Sequence, residues 1–231
     1  MTLMLEPVYR LFLHMPKCGG TSVLDLLKQV SKFEVCLDYG SSFFRVPLPD
    51  RNVQLLDSLI HPLDPPPQKI VYGHFFPVKY MGAALNRRDG GRFRLVTIIR
   101  DPIDRLRSHY EFWRSGEFSN HYLWRKMQAE NWSFEEFAFC KEMKNYYSQY
   151  LAQITVGMFS YIGLFEHLEQ SIRGCLDALD IEYERSFTTP KLNSSSAETA
   201  IVISDTTRSE LMAYHCEDYL IYDYARRAFH F

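Results

Sequence analysis

Three short stretches of the chain carry residue types that hold and transfer an anionic group. The first is Leu11-Phe12-Leu13-His14-Met15-Pro16-Lys17-Cys18-Gly19-Gly20-Thr21-Ser22, in which an apolar run meets a lysine, two glycines and two hydroxyls. The run stops at Pro16, and Val23, Leu24, Leu26 and Leu27 then recur at helical spacing, so the segment reads as strand, glycine turn and helix start. That geometry makes an anion site. Helix-terminal amides without partners point outward, and the macrodipole favours negative charge there. Pro16, Lys17, Cys18, Gly19, Gly20, Thr21 and Ser22 are therefore read as a cradle for a phosphate or sulfate ester. Lys17 supplies a mobile cation, and Thr21 and Ser22 supply hydroxyl donors.

The second stretch is Arg100-Asp101-Pro102-Ile103-Asp104-Arg105-Leu106-Arg107-Ser108-His109-Tyr110, which follows the β-branched run Leu95 to Ile99. Asp101 suits an N-cap and Pro102 the first helical position. Arg100 thus stands at a strand end, and its planar fork suits a phosphate. Ser108 lies about 10 Å along the helix. The two share one phosphate only if it rests alongside that helix. The third stretch is Gly73-His74, which closes the strand Lys69 to His74. An imidazole at a strand end, on the same edge as Lys17, is suited to remove a proton near neutral pH. His14 also ends a strand but sits behind the turn, where a structural role is expected. His109 falls on a helix face and is read the same way.

Two anion sites on neighbouring strand–helix corners fit a nucleotide phosphorylated at two separated positions. A nucleoside triphosphate gathers its phosphates in one place and needs magnesium, and the chain has no convincing paired carboxylates after either strand. The Walker order is also absent, because Lys17 precedes its glycines.

The elements that must position these residues alternate. Strands are expected over Val8–Leu13, Phe33–Leu37, 69–74, Phe93–Ile99 and Phe159–Leu164. Helices are expected from Ser22 to Ser31, Asn52 to Ile60, after Pro102, within 118–157, from Glu166 to Leu179, and from Arg208 to Phe229 as one helix or a pair. The proline-rich stretch 61–68 is a connection, and 190–200 is a polar loop. The fold class is α/β, a three-layer parallel sheet with P-loop-like architecture, with ligands at the carboxyl ends of the strands. The aromatics of 118–157 are expected mainly in packing, although that region and the 38–50 loop are also candidates to shape an acceptor pocket.

The 231 residues suit one domain, 1–231, and the net charge of −2 argues against a polyanion-binding surface. Positive charge is local: residues 87–107 hold seven arginines against three aspartates, although Arg87, Arg88 and Arg92 read as a solvated face. Five scattered cysteines without a Cys-x-x-Cys pair suggest neither zinc nor disulfides. No signal peptide or long apolar run is visible, which points to a soluble, cytoplasmic enzyme of bacterial type.

The order Pro-Lys-x-Gly-Gly-Thr-Ser after a strand ending in His resembles the 5′-phosphosulfate loop of sulfotransferases that use 3′-phosphoadenosine 5′-phosphosulfate (PAPS). It is most similar to the carbohydrate-type branch, which includes the heparan sulfate 2-O-sulfotransferases. The resemblance implies that Arg100 and Ser108 bind the 3′-phosphate and that His74, within Gly73-His74-Phe75, is the general base. It further implies that Lys191 and Asn193, in Lys191-Leu192-Asn193-Ser194-Ser195, close over the nucleotide. Weaker matches at Ser133–Phe137, Asn145–Leu151 and Tyr161–Ser171 carry it nearly end to end; Glu166 in the last is expected to be structural. Cys18 departs from the threonine common in the family, leaving its backbone amide as the donor.

The implied activity is transfer of a sulfuryl group from PAPS to a hydroxyl of a carbohydrate or small metabolite, releasing 3′-phosphoadenosine 5′-phosphate (PAP). No metal, nucleic acid or membrane span is called for. The alternatives are a P-loop-like kinase using ATP and magnesium, and a non-catalytic nucleotide-binding module. The acceptor and the oligomeric state are not legible in the sequence.

Overall fold

The computed structural model describes residues 7–40, 45–85, 92–152, 154–184 and 201–231. Five strands form one sheet: β1 (Val8–His14), β2 (Glu34–Asp38), β3 (Lys69–Gly73), β4 (Arg92–Ile99) and β5 (Tyr161–Leu164). Their order is β2-β3-β1-β4-β5 and every pairing is parallel. Parallel strands buried on both faces favour continuous β-branched and apolar runs. β4 has one in Leu95 to Ile99, all at 2% exposure or less.

Alternate side chains of the sheet divide between two apolar layers. Phe12, Tyr72, Val96 and Ile98 pack with Val23, Leu26 and Leu27 of α1 (Gly20–Val30) and with Ile172 and Leu176 of α8 (Leu168–Ala178). Leu11, Leu13, Val71, Leu95 and Ile99 face the other way. There they meet α4 (Pro102–Ser115), α6 (Phe134–Ala138) and α7 (Tyr146–Tyr150). The same side carries α9 (Asp205–Tyr214) and α10 (Cys216–Ala228), a helix pair broken at His215. The expected three-layer α/β sheet is what forms.

Several boundaries differ from expectation for local reasons. The helix expected from Asn52 starts earlier, as α2 (Leu48–Ile60), because Pro47 and Pro49 fit its N-cap and first turn. A further short helix, α3 (Val78–Leu85), follows Pro77 where no helix was expected. Strand β5 begins at Tyr161 rather than Phe159, and Glu166 falls in a short 3₁₀ turn, Phe165–His167, ahead of α8. The helices within 118–157 are α5 (Tyr122–Ala129), α6 and α7, the second opened by a Ser133–Glu136 capping box. Their aromatics go to packing: Phe134, Phe137, Tyr146, Tyr147 and Tyr150 are all buried. Among the described residues no helix is long and apolar enough to cross a membrane.

Candidate functional site

Strand β1 lies between β3 and β4, so three strand ends are adjacent at one edge of the sheet. The registers are level, with Leu13 beside Gly73 and His14 beside Ile98. With about 4.8 Å between neighbouring strands, the chain after His14, after Gly73 and after Ile99 emerges within one small area. The chain also reverses its direction of travel across the sheet at β1, which is where such folds open a ligand crevice.

The first corner is a tight turn. The Cys18 N–H donates to the Met15 carbonyl at 3.3 Å, Pro16 occupies the second position, and Lys17 the third with φ of 68°. A proline followed by a positive φ is the pattern of a type II turn, whose third position favours glycine. A lysine there holds an αL conformation costing about 1–2 kcal/mol. Gly19 continues with φ of 79° as the N-cap of α1, and no side chain caps it. The first intrahelical bond runs from Val23 N–H to Gly19 C=O. The amides of Gly20, Thr21 and Ser22 precede it and have no intrahelical acceptor, which leaves them for an anion.

Gly20 is required by close approach. A Cβ there would lie 1.7 Å from His14 Nε2, because the His14 ring lies directly against the turn. The hydroxyl of Tyr72 on β3 adds a bond to the Gly20 carbonyl at 2.6 Å. His14 therefore has the structural place expected of it. Cys18 is more committed than the sequence suggested. Its amide closes the turn and its thiol is buried, 3.6 Å from the Pro16 carbonyl.

The second corner is built as expected. Asp101 Oδ1 accepts from the Ile103 and Asp104 amides, and Pro102 opens α4. Glu166 Oε1 accepts from the Asp101 N–H at 2.8 Å, a structural role. The Arg100 guanidinium lies over the Phe165 ring, 4.5 Å from its centroid, and Phe165 would in turn touch a Cβ at Gly19 at 3.3 Å. One aromatic ring thus stands between the two corners.

The two cations are close enough to repel. Burial, and then the charge of Arg100, lowers the Lys17 ammonium to about 8, with Cys18 and Glu111 acting in the other direction. Lys17 Nζ rests 3.7 Å above the Phe112 ring on α4. Ser108 stands one helical turn before Phe112 and so shares the α4 face that borders Lys17. Arg100, Ser108 and Lys17 are brought to one side of the crevice. Neither Phe112 nor Phe165 was singled out in the sequence; the four-residue spacing from Ser108 is the signal that points to Phe112.

His74 is the third group. Its ring contacts His14 at 4.6 Å and Tyr39 at 4.8 Å between centroids, and its Nε2 is buried with no hydrogen-bond partner among the described residues. Burial, with the nearby charges of His121 and Arg45, lowers its pKa to about 4, so the ring is neutral at ordinary pH. An unpartnered imidazole nitrogen in its proton-accepting state is what a general base needs. The end of β2 closes this side: Asp38 accepts from Tyr80 Oη at 2.8 Å and from Lys79 Nζ at 2.6 Å. The backbone of Asp38 also runs so close to Gly73 that a Cβ there would lie 1.7 Å from its carbonyl oxygen. His109 is buried against Arg105 and Trp113, well inside the core. Lys191 and Asn193 lie outside the described residues.

Comparison with known proteins adds three findings. A family model described as the sulfotransferase family matches residues 2–225. No curated protein matches the chain. Among solved structures the chain is similar to a sulfotransferase from Alicyclobacillus acidocaldarius, at 17% identity over 96% of both chains with a TM-score of 0.48. It is also similar to mouse sulfotransferase SULT7A1 complexed with PAP, at 9% identity over 92% of this chain and 64% of that one, with a TM-score of 0.37.

Proposed function

Because the chain belongs to the sulfotransferase family, we propose that it transfers the sulfuryl group of PAPS to a hydroxyl of a carbohydrate or other small acceptor, as a single domain over residues 1–231. The observation that carries the reading is the meeting of Lys17, Arg100 and His74 at three neighbouring strand ends. The amides of Gly20 to Ser22 and the Lys17 ammonium form the pole for the 5′-phosphosulfate. Arg100 and Ser108 form the pole for the 3′-phosphate. Lys191 and Asn193, outside the described residues, are assigned to contact the nucleotide on the family resemblance of Lys191-Leu192-Asn193-Ser194-Ser195 alone.

In the reaction the acceptor oxygen forms a bond to sulfur as the bond from sulfur to the 5′-phosphate oxygen breaks. His74 Nε2 takes the acceptor proton, in the tautomer that leaves this nitrogen bare. Lys17 and the turn amides stabilise the charge that grows on the departing phosphate oxygen, a contribution of a few kcal/mol for a well-placed donor. Burial raises the strength of each of these interactions.

The test is thermal stabilisation by PAP, ADP and ATP, each with and without magnesium, since a ligand of the native state raises the melting temperature. Stabilisation by PAP that is indifferent to magnesium, followed by transfer from labelled PAPS in an acceptor screen, is the expected result. Protection by ATP with magnesium and none by PAP would turn the reading to a kinase. Binding of PAP with no transfer to any acceptor would leave a nucleotide-binding module.

A further inference from the structure

Tyr147 sits outside the crevice, on the short helix α7, and is fully buried. Its hydroxyl donates to the Arg100 carbonyl at 2.7 Å and accepts from the Arg100 N–H at 3.0 Å. The same oxygen lies 3.7 Å from Cys18 Sγ. With the phenol proton committed to the Arg100 carbonyl, the single thiol proton is shared between the Pro16 carbonyl at 3.6 Å and the phenolic oxygen. Burial pushes the Cys18 thiol up to about 11 and the phenol well above its usual range, so both keep their protons at working pH. One phenolic oxygen therefore ties the backbone of the second corner to the side chain of the first.

The ring is itself held from behind. Asp218 of α10 accepts from the Tyr147 N–H at 2.9 Å and the Ser148 N–H at 3.2 Å. The buried Arg105 lies over the Tyr146 and Tyr147 rings, at 4.2 and 5.8 Å from their centroids. A phenol pinned at its backbone and packed on its face cannot follow one corner without the other. A ligand with phosphates at two ends needs a fixed separation between the two poles, and a rigid tie gives the second phosphate its advantage by pre-organisation.

We propose that Tyr147 is a positioning residue that sets the spacing between the two anion poles, and that it acts with Cys18. The proposal rests on the reading of the crevice as a site for a nucleotide bearing both a 5′- and a 3′-phosphate. The phenol touches neither phosphate; its effect is on how well one molecule satisfies both poles at once.

The experiment compares affinities of the full chain for PAP, 5′-AMP and 3′-AMP by calorimetry, in the unsubstituted protein and in Y147F and C18A. Y147F removes one oxygen and keeps the ring. C18A removes the other end of the tie together with the thiol contact to the Pro16 carbonyl, and leaves the phenol on Arg100. Each is expected to weaken PAP about tenfold, the cost of a hydrogen bond worth about 1.4 kcal/mol, with both monophosphates held within twofold. A merely structural role would shift all three ligands together. Unchanged PAP affinity, or equal loss for all three ligands, overturns the proposal, and should Y147F not fold, C18A alone decides. An unsubstituted protein that binds PAP no more tightly than 5′-AMP removes the bisphosphate reading itself, and this proposal with it. An unsubstituted protein that prefers PAP, beside variants that prefer it as strongly, removes only the role of Tyr147.

Discussion

Titration of Lys17 gives the sharpest test of the anion cradle. The ammonium has lost water and faces the Arg100 guanidinium, and its pKa of about 8 records both costs. A phosphate placed between the two cations reverses the repulsion, so the bound state holds the Lys17 proton more tightly than the free state. Binding is then coupled to proton uptake, and affinity falls as pH rises through about 8. If only the protonated lysine binds, the protonated fraction of Lys17 drops from about nine in ten at pH 7 to about three in a hundred at pH 9.5, a loss of about 30-fold in PAP affinity. The phosphates of PAP have their second pKa near 6 and are about nine-tenths ionised by pH 7, so they contribute little slope in this window. Calorimetry in two buffers of different ionisation enthalpy would read both the affinity and the proton count. Lys17→Arg keeps a cation that does not titrate in this range and should flatten the profile. A flat profile in the unsubstituted protein, or a slope that survives in Lys17→Arg, would refute the assignment.

Gly20→Ala places a Cβ at 1.7 Å from His14 Nε2 and should destabilise the fold by about 1–3 kcal/mol through overpacking, measured as a lower melting temperature together with weaker PAP binding. His74→Gln should cut sulfuryl transfer by about 10²–10⁴-fold while PAP affinity changes less than twofold. Because the His74 ring becomes protonated only near pH 4, transfer limited by this base should hold its rate down to about pH 5. His215 has both ring nitrogens engaged in the core, with Nδ1 accepting from Asn145 N–H and Nε2 donating to the Ala138 carbonyl, and burial lowers its pKa to about 4. The unfolded chain binds that proton from about pH 6.5 downward, so this contribution is complete above 6.5 and is lost as pH falls toward 4. The stability difference between the unsubstituted protein and His215→Gln should shrink by about 3 kcal/mol across that window, and a pH-independent difference would count against a neutral buried ring.

The local signals of the site were legible because each is a short-range device. Pro16, the paired glycines and the hydroxyls mark the first corner, and Asp101-Pro102 marks the second through its cap. The two corners were expected to be neighbours, but no local signal carries that adjacency; it rests on the direct pairing of β1 with β4, and that of His74 on β3 pairing β1 from the other side. Helix α3 was missed because Gly82 and only eight residues give a weak periodic signal, whereas the structure stacks Val78, Tyr80 and Met81 in the core. Tyr147 was invisible as anything but one aromatic among many. Its importance lies in a hydroxyl that meets partners 47 and 129 positions away. Nothing in the sequence marks Arg105 or Asp218 as buried, yet both are 1% exposed.

The turn that presents Lys17 contains a tension between endurance and chemistry. Its third position calls for a residue without a Cβ, and a lysine stands there at φ of 68°. Glycine at 17 should outlast alanine at 17 on heating by about 1 kcal/mol, and neither could supply the cation. A directed-evolution campaign that scored heat resistance alone would therefore be drawn to Lys17→Gly, and would finish with a sturdier but inert protein.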